Sequence, residues 1–134
     1  MSPGLAVQQA MRAALLARPP LTTLLGGAHV FDEVPRGANP PYVLFAGLET
    51  RDWSVIDQKA HEHFISLEVV TSARSRALAQ NICTEIELAL DNASLTLTDH
   101  KLVNLRAIFS NTIKSISTNH FGAVLRFRAA TEPL

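Results

Sequence analysis

The sequence predicts an α+β fold: an antiparallel sheet of four to five strands with two helices packed on one face. Two observations carry this. Apolar residues recur at helical spacing near 4–17 and 74–91. Apolar and polar residues alternate with the period of a half-buried strand at 61–71 and 121–130. The second helical stretch lies between those alternating runs, so it has to cross over the sheet. The 134 residues suit one compact domain, and the 47% hydrophobic content is enough for a core.

The first helix is expected from about Gly4 to Ala17. Val7, Met11, Ala14 and Leu15 recur along one side, and alanines favour the conformation. Ser2 followed by Pro3 has the form of an N-cap with proline in the first turn. Pro19-Pro20 ends the helix, and Leu21 to Leu25 can add a short turn closed by Gly26-Gly27. A short strand near His29 to Val34 comes next.

Val34-Pro35-Arg36-Gly37-Ala38-Asn39-Pro40-Pro41 is a stiff, proline-framed loop that leads into an apolar strand from Tyr42 to about Leu48. Glu49 to Lys59 is polar with Trp53 in its middle, and reads as a long hairpin arm or exposed loop. From His61 to Thr71, His63, Ile65, Leu67 and Val69 fall on one face; Glu62, Phe64, Ser66, Glu68 and Val70 fall on the other.

Ser72 or Ser75 can cap the second helix, expected from about Arg74 to Asp91 with Leu78, Ile82, Ile86, Ala89 and Leu90 buried. Asp91-Asn92-Ala93-Ser94 is turn chemistry. The strand from Leu102 to Ser117 places Val103, Leu105, Ala107 and Phe109 together, then drifts toward Ile113 and Ile116, which suggests a bulge past Ser110. After a turn at Thr118-Asn119, a last strand alternates Phe121, Ala123, Leu125, Phe127 and Ala129 with Val124, Arg126 and Arg128. The sheet face away from the helices would present Phe64, Glu68, Val124, Arg126 and Arg128, a mixed surface suited to a partner.

Lysine plus arginine and aspartate plus glutamate stand at 12 each, so the basic excess of a nucleic-acid-binding domain is lacking. Cys83 is the single cysteine, so no internal disulfide forms. No secretory leader and no membrane span is read from the sequence, and cytoplasmic synthesis is expected.

Catalytic patterns are sparse. His61 and His63 would project from a strand to the same side, and Asp57, His100 or His120 could complete a metal site. Two ligands alone do not make one, and the bland alternative is a strand that enters the sheet through polar residues. There is no Gly-x-Ser-x-Gly elbow, and Gly26-Gly27 precedes no Lys-Ser/Thr, so no phosphate loop is formed. Cys83 lies beside Glu85 in a helix with nothing electropositive to make a thiolate. No catalytic, cofactor or metal residues are assigned. The residues expected at an interface are Arg51, Asp52, Trp53, Asp57, Glu68, Arg126 and Arg128.

Val34-Pro35-x-x-x-x-Pro40-Pro41-Tyr42-Val43-x-Phe45, then Asp52-Trp53-Ser54, resembles a family of small phage and prophage proteins. So do His63-x-Ile65-x-Leu67-x-Val69-Val70-Thr71 before a helix, and the return Leu95-Thr96-Leu97-x-x-His100-Lys101-Leu102-Val103-Asn104-Leu105. The ending Val124-x-Arg126-Phe127-Arg128-Ala129-x-Thr131-Glu132 belongs to the same pattern. The family is that of tail terminator, or tail-completion, proteins, which also occur in gene transfer agents. Each piece is weakly specific; their order over nearly the whole chain is more so. One departure lies at Thr71-Ser72-Ala73-Arg74, where many relatives carry a tryptophan and a glycine-rich step.

The resemblance implies a structural, non-enzymatic protein of the virion tail or neck that needs no cofactor. It implies a homo-oligomer, commonly a hexameric ring, at the head-proximal end of the tail tube. Such a ring ends tube polymerisation and joins the tail to the head. The implied partners are the major tail tube protein and a head connector, adaptor or stopper protein. DNA would pass through the lumen without specific recognition, and no membrane is involved. The alternatives are another neck component, such as a head-completion or connector adaptor, and a small metal-binding hydrolase using His61 and His63.

Overall fold

The computed structural model describes residues 1–72, 76–115 and 120–134. The fold is α+β, and three described helices lie against one face of an open five-stranded sheet in the order β1 (Val30–Phe31), β2 (Tyr42–Asp52), β3 (His61–Val70), β5 (Phe121–Pro133), β4 (His100–Lys114). Helix α1 spans Pro3–Leu16. Its N-terminus is capped by Ser2, whose Oγ accepts from the Leu5 amide at 3.2 Å, and Pro3 occupies the first turn. The short turn expected after Pro19 is a complete helix, α2 (Pro19–Leu25). It stops at Gly26, whose left-handed φ of 77° lets the amides of Gly26 and Gly27 bond back to Thr23 and Thr22.

Strand β1 is only Val30–Phe31, shorter than expected. It runs parallel to β2 (Tyr42–Asp52), so the sheet is mixed rather than purely antiparallel. The cause is the proline-framed loop, which returns the chain to its starting level. Val30 then opposes Val43, and the Val43 amide donates to the His29 carbonyl at 2.9 Å. The Pro40–Pro41 peptide in that loop is cis.

Strand β3 (His61–Val70) pairs antiparallel with β2 and with β5 (Phe121–Pro133); β4 (His100–Lys114) closes the other edge. Helix α3 (Arg76–Leu90) crosses from β3 to β4, as the order of elements requires. Its buried side carries Ala79, Ile82, Cys83, Ile86 and Leu90, so Cys83 sits on the buried stripe. The helix gives way to a turn at Asn92, which adopts a left-handed φ of 58°. The start expected at Arg74, the cap at Ser75, the turn at Thr118-Asn119 and the drift to Ile116 lie outside the described residues.

Val7, Met11 and Leu15 of α1 and Ile82 and Ile86 of α3 pack with Val43, Ile65, Leu67, Leu125 and Phe127 of the sheet. Burying each such side chain contributes about 1.5–3 kcal/mol. Helix α1 approaches β2 closely at Gly4, where an added Cβ would stand 2.9 Å from Leu48 Cδ2 and would displace that side-chain end. None of the described helices is long and apolar enough to cross a membrane.

Candidate assembly interface

Two bulges decide what the uncovered sheet face presents. The first, between Phe45 and Gly47, resets β2 so that Leu48, Thr50 and Asp52 oppose Ile65, His63 and His61, while Glu49 and Arg51 oppose Phe64 and Glu62. Glu49 to Asp52 are therefore sheet, not arm; the projecting arm is only 53–60. Its polar composition reflects an outer face made of charges. The arm closes through the Trp53 amide to the Ala60 carbonyl and a two-residue turn between Val55 and Gln58, both bridged at 2.9 Å.

The second bulge, between Ala107 and Phe109, comes earlier than the drift past Ser110 suggests. It sets Phe109 opposite Arg126, on the outer face, instead of alongside Leu105 and Ala107. A further bulge leaves Val103 half exposed beside the arm.

The outer face is organised as guanidinium groups over aromatic rings. Arg51 lies 5.2 Å from the Phe64 ring centre, Arg126 lies 5.1 Å from Phe109 and Arg128 lies 5.0 Å from Trp53. Arg128 is the most tightly held: Nε donates to Glu62 Oε2 at 2.6 Å and Nη1 to Asn104 Oδ1 at 3.3 Å. Arg51 reaches Glu49 at 3.0 Å, in the open. A depression of about 450 Å³ lies between these groups, lined in part by Gly47, Phe64, Ser66, Ile108, Arg51 and Arg126.

Five of the seven expected interface residues, Arg51, Trp53, Glu68, Arg126 and Arg128, thus share one sheet face or its margin. Asp52 does not join them. Its carboxylate accepts from the Ser54 amide at 2.9 Å, and the Ser54 hydroxyl and amide hold its pKa below the ordinary carboxylate value, so it shapes the base of the arm. Asp57 stands apart at the arm tip. Sequence reasoning missed Phe109 and Ile108 because their bulge interrupts the period, and it missed the exposed tip residues Val55 and Ile56 inside a polar run. The arm leans on β5 through Gln58 Nε2, which donates to Glu132 Oε2 at 3.0 Å.

His61 and His63 do project to one side, with ring centres 6.3 Å apart. His63, however, is buried with both ring nitrogens occupied, Nδ1 by the Thr50 hydroxyl and Nε2 by the Thr131 hydroxyl, each at 2.9 Å. Among the described residues no group of three His, Cys, Asp or Glu is placed to hold a metal ion. Burial, and then Glu87, raises the Cys83 thiol to about 11, so it stays protonated.

A protein-family model described as Tail completion protein gp17 matches residues 9–132. Among solved structures, a chain from the virion of a native gene transfer agent (GTA) particle is similar, with a TM-score of 0.87 and 28% identity over 95% of each chain. No curated protein sequence matches significantly.

Proposed function

We propose, since the chain belongs to the tail completion protein gp17 family, that it is a structural tail protein of a phage-like particle that works by association. In this reading, copies form a closed ring at the head-proximal end of the tail tube. One side of the ring ends tube polymerisation on the last layer of tube protein. The other side receives the head connector, and DNA passes through the lumen without base recognition.

The observation that carries the reading is the family match over 9–132; the similar chain in a gene transfer agent virion supports the same setting. The geometry adds a large sheet face that none of the described elements covers, rich in aromatic and arginine side chains, the residue types enriched in interfaces. A closed ring also needs two different surfaces on each copy, because its contacts are head-to-tail. The sheet face and the projecting arm supply two.

The test is assembly. Purified protein, alone and with polymerising tube subunits, is examined by native mass measurement and electron microscopy. Rings, and tubes that stop growing when capped at one end, are expected. A chain that remains monomeric under both conditions and leaves tube growth unchanged would falsify the reading.

A further inference from the structure

We propose that the arm tip of one copy seats in the outer-face depression of the next, with Ile56 against Phe64 and Ile108 and the Asp57 carboxylate on the Arg126 guanidinium. This rests on the ring reading above and names the surfaces that meet.

The tip is chemically unusual. Turns favour Gly, Pro, Asn, Asp and Ser, yet this two-residue turn carries Ile56, fully exposed at 102%, next to Val55 at 70%. Neither side chain gains from folding by being there. The depression offers matching apolar surface in Phe64 and the half-exposed Ile108.

Charge selects the same pairing. Three arginines on or beside the face already have a carboxylate: Arg51 with Glu49, Arg106 with Asp91 and Arg128 with Glu62. Arg126 stacks on Phe109, and among the described residues it has no carboxylate, and Asp57 no cation, within ion-pair distance. The neighbours agree as well. Lys59 follows Asp57 by two residues. Glu68 is diagonal to Arg126 across the β3–β5 ladder, since Arg126 opposes Ser66 and Val124 opposes Glu68. Such diagonal neighbours stand roughly 7–8 Å apart. Tip and face therefore present opposite signs in the same order.

The chain cannot make this contact with itself. The depression lies at the level of Gly47 and Ser66, whereas the tip projects beyond the last ladder pair, Asp52 with His61. At about 3.3 Å per residue the tip points some 17 Å or more away from its own depression. Strand pairing through the β4 edge is a poor rival. The Leu105 carbonyl is taken by the Asn92 amide at 2.8 Å, and the Ala107 amide by Asp91 Oδ1 at 2.9 Å, which blocks the middle of that edge.

The experiment uses charge reversals in the full chain, D57R and R126D, with circular dichroism confirming that each folds. Both sites are exposed. Each variant alone should weaken ring assembly by about tenfold or more, since like charges then face each other at every contact. An equimolar mixture should recover it, because opposite charges meet at every contact of an alternating ring. Rings that survive both single reversals, or that mixing fails to restore, overturn the inference and leave the ring reading intact. A wild-type chain that never assembles, even on tubes, overturns the ring reading first.

Discussion

His63 Nε2 lies 2.9 Å from the hydroxyl of Thr131, and both residues are shut away from solvent where β3 meets β5. The ring is held neutral there. Burial, and then the electrostatic influence of the nearby His61 and His100, lower its pKa from 6.5 to about 4. Between those two values the unfolded chain binds a proton that the folded chain refuses, so stability falls as pH falls through that window. Below about 4 the loss from this group is complete. The contribution at neutral pH is at most about 3 kcal/mol. Urea unfolding of wild type and His63→Gln across this range checks it: the wild type should show the extra slope and the variant should not.

The partners of His63 are not encoded in its own strand. Its alternation with Ile65, Leu67 and Val69 places it on the buried face, but the hydroxyls that satisfy it come from Thr50 and Thr131, on two other strands. Elements with uninterrupted period, α1, β3, α3 and β5, were legible in the sequence for the same reason that they pack: each has one apolar side. Where a bulge shifts the period, at Phe45/Gly47 and Ala107/Phe109, local pattern and true face disagree, and Glu49–Asp52 and Phe109 were misplaced. The parallel pairing of β1 depends on where the proline loop returns, which no alternation encodes. Arg126 and Arg128 were visible as a pair; the rings beneath them, Phe109 and Trp53, come from distant positions joined only by the fold.

Arg128 should be poorly replaced by lysine. Its side chain is only 24% exposed and that of Glu62 19%, and the guanidinium also stands 5.0 Å from the Trp53 ring centre while bonding Asn104. Arg128→Lys is expected to lose about 1 kcal/mol or more, and Arg128→Ala about 1–3 kcal/mol, in denaturant unfolding. A double-mutant cycle with Glu62→Gln should return a coupling of about 1 kcal/mol. A coupling near zero would show the pair to be an ordinary surface contact.

Gly122 and Gly47 make a matched pair. A Cβ at Gly122 would stand 2.7 Å from the backbone oxygen of Val69, on the adjacent strand, so β3 and β5 must separate to admit it. Gly122→Ala should cost about 1–3 kcal/mol. At Gly47 the nearest atom to an added Cβ is the Ser66 Cβ at 3.8 Å, an ordinary contact. Gly47→Ala should change stability by no more than about 0.5 kcal/mol. Thermal denaturation of the two variants side by side checks this: the melting temperature should drop for Gly122→Ala and stay near wild type for Gly47→Ala.

Cys83 offers a probe of opening. With its thiol raised to about 11 by burial and Glu87, almost none is thiolate at neutral pH, and the sulfur lies under α3. Native protein should resist a thiol reagent and react at the rate at which α3 lifts from the sheet; denatured protein should react at once. Fast native labelling would mean that α3 is not docked as described.

Ile56 separates folding from assembly most cleanly. Fully exposed at the arm tip, it contributes no buried area to the isolated chain, so Ile56→Ser should leave unfolding free energy unchanged within about 0.5 kcal/mol. If the tip seats on Phe64 and Ile108 of a neighbour, the same substitution removes the central apolar contact from every subunit junction at once. Ring formation and tube capping should then drop by an order of magnitude or more while the melting curve stays where it was. Equal loss of both would place Ile56 in the fold, and loss of neither would leave the arm without a role in assembly.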